Sequence, residues 1–154
     1  MSTPYPATLL DHTFEEGIAL TQEARNYIAY REQADRREFD LPRCLVAGYQ
    51  HTRISARLIQ VMTWLLAMKG LLAGEISPEQ FISPQYAIED SEECSSDKGE
   101  GDEGMPVGLR DLLIRSHALY ARIRRLDAMV RTKLAAGEVP NFASLSGPAI
   151  VTLH

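Results

Sequence analysis

The stretch from Leu58 to Leu72 constrains the fold most. Leu58, Ile59, Val61, Met62, Trp64, Leu65, Leu66, Met68, Leu71 and Leu72 all fall within it, and it contains no proline. Placed at 100° per residue, these side chains cover about 240° of a helix circumference, where ~100° is the usual apolar stripe of an amphipathic helix. One neighbouring layer cannot cover such an arc. The helix must run through the middle of a bundle, serve as a subunit interface, or do both. Lys69 lies inside the arc and has to snorkel from the last turn or find a partner.

The boundaries of this helix can be read from local chemistry. Asp40-Leu41-Pro42 is a start signal, since proline is tolerated where the first amide needs no partner, and Gly74 after Ala73 supplies the closing residue. A first helix is expected from Thr13, with Glu16 three residues on completing a capping box, to about Asp35. Phe14, Ile18, Thr21 and Ile28 lie on one side of it, flanked by Leu20, Ala24 and Tyr27, with Gly17 a modest weakness. Ser77-Pro78-Glu79-Gln80 repeats the start chemistry for a short turn through Ile82. A third long helix runs from Pro106 or Val107 to Ala136, before Gly137. Its Leu109, Leu112, Ser116, Leu119, Ile123, Leu126 and Val130 recur at alternating steps of three and four, a seam suited to near-parallel packing.

Residues 89–104 (EDSEECSSDKGEGDEG) carry eight acids against Lys98, three glycines and no large apolar residue. Too little surface can be buried there to offset the entropy of ordering, so a flexible linker is expected. Residues 137–154 contain Pro140, Gly147 and Pro148 and show no helical period, which predicts an irregular tail outside the bundle. The fold class that follows is all-α: a three-helix bundle of long antiparallel helices over residues 13–136, a disordered acidic linker between the second and third helices, and a tail.

With 154 residues, one domain is the default. No run approaches the roughly 18 apolar residues of a membrane span, and Met1 to Tyr5 lack a basic segment leading into an apolar one. Cys44 and Cys94 fall in a helix and a polar linker, so a reduced, cytoplasmic setting is expected.

Motifs for chemistry are missing. His12, His51, His117 and His154 are scattered, without a second ligand three or four residues away, and no nucleophile elbow or phosphate loop occurs. No catalytic, cofactor or metal site is assigned, and the chain reads as a protein-binding molecule rather than an enzyme. The alternative is a helical structural or nucleic-acid-associated protein, because Arg110, Arg115, Arg122, Arg124, Arg125, Arg131 and Lys133 crowd the third helix. A pI of about 5.4 and a near-neutral fold outside the linker argue against nucleic acid. A solvated face or, as the sharper reading, a docking surface for an acidic protein partner suits those arginines better.

The run from His51 to Leu66 (HTRISARLIQVMTWLL), followed by Gly74-Glu75, resembles the signature of the RcdA family, the regulators of CtrA degradation of alphaproteobacteria. Leu109-Arg110-Asp111-Leu112-Leu113 with Ser116, Leu119-Tyr120, Arg122 and Arg125-Leu126-Asp127 adds a second match, and the resemblance spans residues 13–136. It implies a three-helix bundle that dimerises and serves as an adaptor of the ClpXP protease. Such an adaptor docks on the ClpX unfoldase primed by a CpdR-like response regulator and delivers cell-cycle transcription factors, some through a further adaptor, PopA. No catalytic residue is implied. The candidate protein-interface residues are Arg53, Arg57, Gln60, Trp64 and Leu66 on the second helix, and Arg115, Arg122 and Arg125 on the third; Trp64 reads equally as an interface anchor or a bundle-core residue, and Arg53, Arg57 and Gln60 as a recognition patch or an ordinary solvated face.

Overall fold

A computed structural model describes residues 9–138 and 140. Three long helices dominate it: α1 (Leu9–Tyr30), α3 (Leu41–Leu72) and α6 (Val107–Ala135). Shorter pieces fill the connections: α2 (Glu32–Arg36), α4 (Pro78–Ile82), a 3₁₀ turn (Pro84–Tyr86) and α5 (Glu92–Ser95). No strand occurs among the described residues. The expected all-α bundle is therefore present. Of the predicted tail, only Gly137, Glu138 and Pro140 lie within the described residues.

The caps of α3 form as the sequence dictates. The Asp40 side chain accepts from the Arg43 amide at 2.9 Å, Pro42 sits in the first turn, and Gly74 takes φ +78° beyond the C-terminus. Ser77 and Gln80 form the reciprocal capping box that opens α4. Thr13 behaves differently. The helix begins four residues earlier, at Leu9, and Thr13 is a buried interior residue whose hydroxyl donates to the Leu9 carbonyl at 2.7 Å. Apolar Leu9 and Leu10 extend the buried face, so packing overrides the cap signal. At the other end the helix kinks at Arg31, and α2 continues beyond. The Tyr27 hydroxyl donates to Asp35 at 2.8 Å across this corner; burial, reinforced by that bond, pushes its pKa upward.

α1 runs antiparallel to both other long helices. Gly17 meets α3 where a Cβ would lie 2.6 Å from Met62 Sδ, so the glycine that weakens the helix allows it to approach closely. At its start, Lys69 lies 4.0 Å above the Phe14 ring and 3.8 Å from Asp11, which gives the ammonium inside the apolar arc its partners. On α6, Arg122 pairs with Glu16 at 2.6 Å and Arg115 with Glu23.

α3 and α6, by contrast, run in the same direction: Arg57 reaches the Leu113 carbonyl and Trp64 reaches Asp127, each pair advancing together along the chain. This corrects the expectation of antiparallel neighbours throughout. Residues 73–106 must then travel back along the bundle, and they do so as a strap between α3 and α6. The strap touches Arg131 and Trp64 at Phe81, Gln60 and Tyr120 at Glu89, and Arg53 and Arg57 between Glu93 and Lys98; it ends beside Arg43 at Asp102.

The acidic segment 89–104, expected to be disordered, is therefore ordered as part of this strap. Its composition supplies almost no apolar surface; instead, its main-chain carbonyls satisfy arginines buried in the bundle. The seam of α6 is as predicted: Leu109, Leu112, Ser116, Leu119, Ile123, Leu126 and Val130 are all buried, facing α3 and α1.

Candidate protein-binding surface

The two sides of α3 differ in where they place charge: the buried side carries two arginines, the outer side none. On the inner side, Gln50, Ile54, Arg57, Val61, Trp64 and Met68 follow one another at steps of four and three, and all are buried. Arg57 is 0% exposed and its neighbour Arg53 is 2% exposed. Neither forms an ion pair with a carboxylate among the described residues. Arg57 donates to the carbonyls of Cys94 (2.8 Å), Ser96 (2.7 Å) and Leu113 (2.9 Å), and to the Ser116 hydroxyl at 3.3 Å. Arg53 donates to the carbonyls of Glu93 (2.8 Å), Ser96 and Lys98, and to the Gln50 side chain.

Desolvation, with the Arg53 charge adding to it, pushes the Arg57 pKa down to about 10; the group stays protonated at neutral pH. Fixed carbonyl dipoles take the place of its lost hydration. Gly99 completes the strap's course with φ +93°; a Cβ there would lie 2.5 Å from Gln50 Nε2.

The acidic side chains of the strap are partly neutralised. Asp102 accepts two bonds from Arg43, at 2.8 and 2.9 Å, which raises the Arg43 pKa and lowers that of Asp102. Glu100 lies 2.6 Å from His117, and Asp90 lies 2.9 Å from Arg124. Arg131 repeats the carbonyl capture lower down: it binds Asp127, which also accepts from the Trp64 indole at 2.8 Å, and donates to the carbonyls of Phe81 and Ile82.

The outer side of α3 presents Leu45, Tyr49, Thr52, Ala56, Ile59, Thr63 and Leu66, again at steps of four and three. Leu45 is 67% exposed, Ile59 68% and Leu66 58%. Between Arg43 and Lys69 the only charged α3 residues are the two buried arginines, so this outer face carries no charge over more than twenty residues. Two grooves flank it. One, a shallow cavity of about 340 Å³, separates α3 from α1 and is lined by Thr21, Ile28, Leu58 and Met62. The other, of about 290 Å³, lies between Ile59, Gln60 and Thr63 and the strap at Pro84, Tyr86 and Ile88.

The structure thus divides the sequence-derived candidates. Arg53, Arg57 and Trp64 are engaged inside the chain and form no surface patch. Gln60 is half-buried, its amide accepting from the Glu89 backbone at 3.2 Å. Leu66 lies on the open face. Arg115 and Arg122 are held by acids of α1 and, for Arg115, Asp111. Arg125 is exposed and forms no ion pair among the described residues. With Arg110 on the Glu100 carbonyl and Arg124 and Arg131 also engaged, α6 is not an open basic face. Both cysteines are free thiols, and the described residues hold no cluster of three or more metal-ligating side chains. No helix of the described residues is long and apolar enough to cross a membrane.

This arrangement defines a class, the helical bundle with an apolar outer helix face, and comparison with known proteins gives the relatives. The pattern of the family described as "Protein of unknown function (DUF1465)" matches residues 3–146. Among solved structures, the crystal structure of RcdA from Caulobacter crescentus CB15 is 31% identical. The match covers 82% of this chain and 94% of that one, with a TM-score of 0.66. The chain belongs to the RcdA family. Among curated proteins no match is found.

Proposed function

We propose that this protein is a non-catalytic adaptor of the RcdA type, which binds other proteins through the outer face of α3 and helps to deliver cell-cycle regulators to the ClpXP protease in the cytoplasm. The observation that carries the binding reading is the charge-free face itself. In a chain with 24% charged residues, Leu45, Ile59 and Leu66 stand exposed along one helix face that carries no charge, which suits a surface that another protein covers. Family membership supports the adaptor reading, and the engaged arginines of α6 speak against a nucleic-acid face.

The protein acts as a homodimer on this reading, because isologous pairing is the commonest way to cover such a helix face. Delivery is tested by capturing the ClpX unfoldase on the immobilised protein with and without a CpdR-like response regulator. Association that requires the regulator is expected. No association under either condition would remove the protease from the account and leave a binding protein of another pathway.

A further inference from the structure

Beside Gln60 the strap runs as a straight stretch of single chain. Ala87 (φ −71°, ψ 136°) and Ser91 (φ −98°, ψ 146°) are extended at its two ends, and residues 88–91 contain neither turn nor bend. Glu89 spends both of its main-chain groups on the bundle. Its amide donates to the Gln60 side chain at 3.2 Å, and its carbonyl accepts from the Tyr120 hydroxyl, toward which the Ser91 amide also lies. Successive residues of an extended chain turn these groups to opposite sides, so Ile88 and Asp90 turn theirs away from the bundle. None of those four groups takes part in a hydrogen bond among the described residues. The stretch is a lone strand with one edge fixed and the other open, and an open edge is a template for a second extended chain.

The surroundings say what that second chain carries. Ile88 also lines the groove of about 290 Å³, whose walls include Tyr86 of the strap and Ile59 and Thr63 of α3. A chain paired with Ile88 can lower an apolar side chain into the groove and cover Ile59, which is 68% exposed. Glu89, Asp90, Glu92 and Glu93 are all exposed along the same stretch. Arg124 meets Asp90, whereas Glu92 and Glu93 form no ion pair among the described residues. The surplus charge is acidic, which favours a strand bearing lysine or arginine and repels one bearing carboxylates.

Resting on the reading of this chain as a protein-binding molecule, we propose that Ile88–Asp90 receives an extended basic segment of a partner protein by strand addition. The segment pairs with the main chain of Ile88 and Asp90, places an apolar side chain in the groove, and sets its cations beside Glu92 and Glu93. The buried arginines gain a second consequence. Arg131 holds the strap at Phe81 and Ile82, and Arg53 and Arg57 hold it between Glu93 and Lys98, so the open edge is fixed before the partner arrives.

Fluorescence anisotropy of the full chain with a labelled octapeptide of alternating valine and lysine tests this, alongside amide exchange of the isotope-labelled protein. Binding that weakens with salt is expected, with slowed exchange at the Ile88 and Asp90 amides. The same peptide N-methylated throughout, or with glutamate for lysine, should bind at least about tenfold more weakly. Ile88→Pro removes one open amide where the preceding Ala87 already has the backbone that proline requires. It should keep its helical circular dichroism and lose affinity about tenfold; should it unfold, exchange on the wild-type chain decides alone. No binding at ~1 mM, equal binding of the N-methylated peptide, or protection confined to other residues would overturn the strand site. Leu66→Asp, outside the groove, separates this site from the open face of α3. Unchanged peptide affinity is expected, and affinity lost with Leu66 would assign the peptide to that face instead. Failure of the peptide in a chain that still binds proteins through Leu66 would strike this inference alone.

Discussion

The inner and outer sides of α3 each depart from the usual partition of residues at a few positions. The side turned into the bundle holds two arginines and a glutamine, and the side turned to water holds leucines, an isoleucine and a tyrosine. Each departure has its own cause. The inner arginines exist to fasten a strap that must return along the helix pair because α3 and α6 point the same way. The outer apolar residues have no role within the described chain. Polar burial here serves folding; apolar exposure, in the function proposed above, serves association.

Changes on the two sides should therefore have different consequences, and the largest is expected inside. Arg57→Ala leaves the carbonyls of Cys94, Ser96 and Leu113 without a donor and the strap without its central fastening. A loss of about 3 kcal/mol in unfolding free energy is expected, read by denaturant titration. Amide exchange in residues 93–100 should accelerate in parallel. Unchanged strap protection in this variant would break the comparison at its inner side.

Trp64→Phe comes next. It keeps most of the ring packing but removes the N–H that Asp127 accepts, for an expected cost of about 1–2 kcal/mol. On the outer side, Ile59→Ser should shift monomer stability by no more than ~0.5 kcal/mol while weakening self-association at least tenfold, read by sedimentation over a concentration series. A large fall in stability without a change in association would mean that Ile59 is core after all. Smallest of all, Arg125→Ala should alter neither fold nor assembly, with an effect within ~0.5 kcal/mol by thermal unfolding.

Much of the frame was legible before any coordinates. The α6 seam, the Asp40 and Ser77 caps and the closing Gly74 and Gly137 follow from periodicity and local bonding, and they stand where those rules put them. Helix direction was not legible, because a seam of three-and-four steps is the same read from either end. The order of residues 89–104 was missed for a physical reason as well: rules of composition weigh side-chain burial, whereas this segment is held by its main chain.

A signal for Arg57 did exist. Gln50, Ile54, Arg57, Val61, Trp64 and Met68 form one regular repeat, so an arginine in phase with core positions was a candidate for burial rather than for a solvated patch. The wide apolar arc was informative in both directions. Part of it fills the core at Leu58, Val61, Leu65 and Met68, and the remainder at Ile59 and Leu66 is the face that stays open.

That open face is where the account stands or falls. Sedimentation velocity of the wild-type chain beside Leu66→Asp, with far-ultraviolet circular dichroism on both, tests it most directly. A wild-type dimer and a fully helical, monomeric variant are predicted. A variant that assembles as the wild type does, or that loses its helical structure instead of its partner, would contradict the assignment of this face to protein binding.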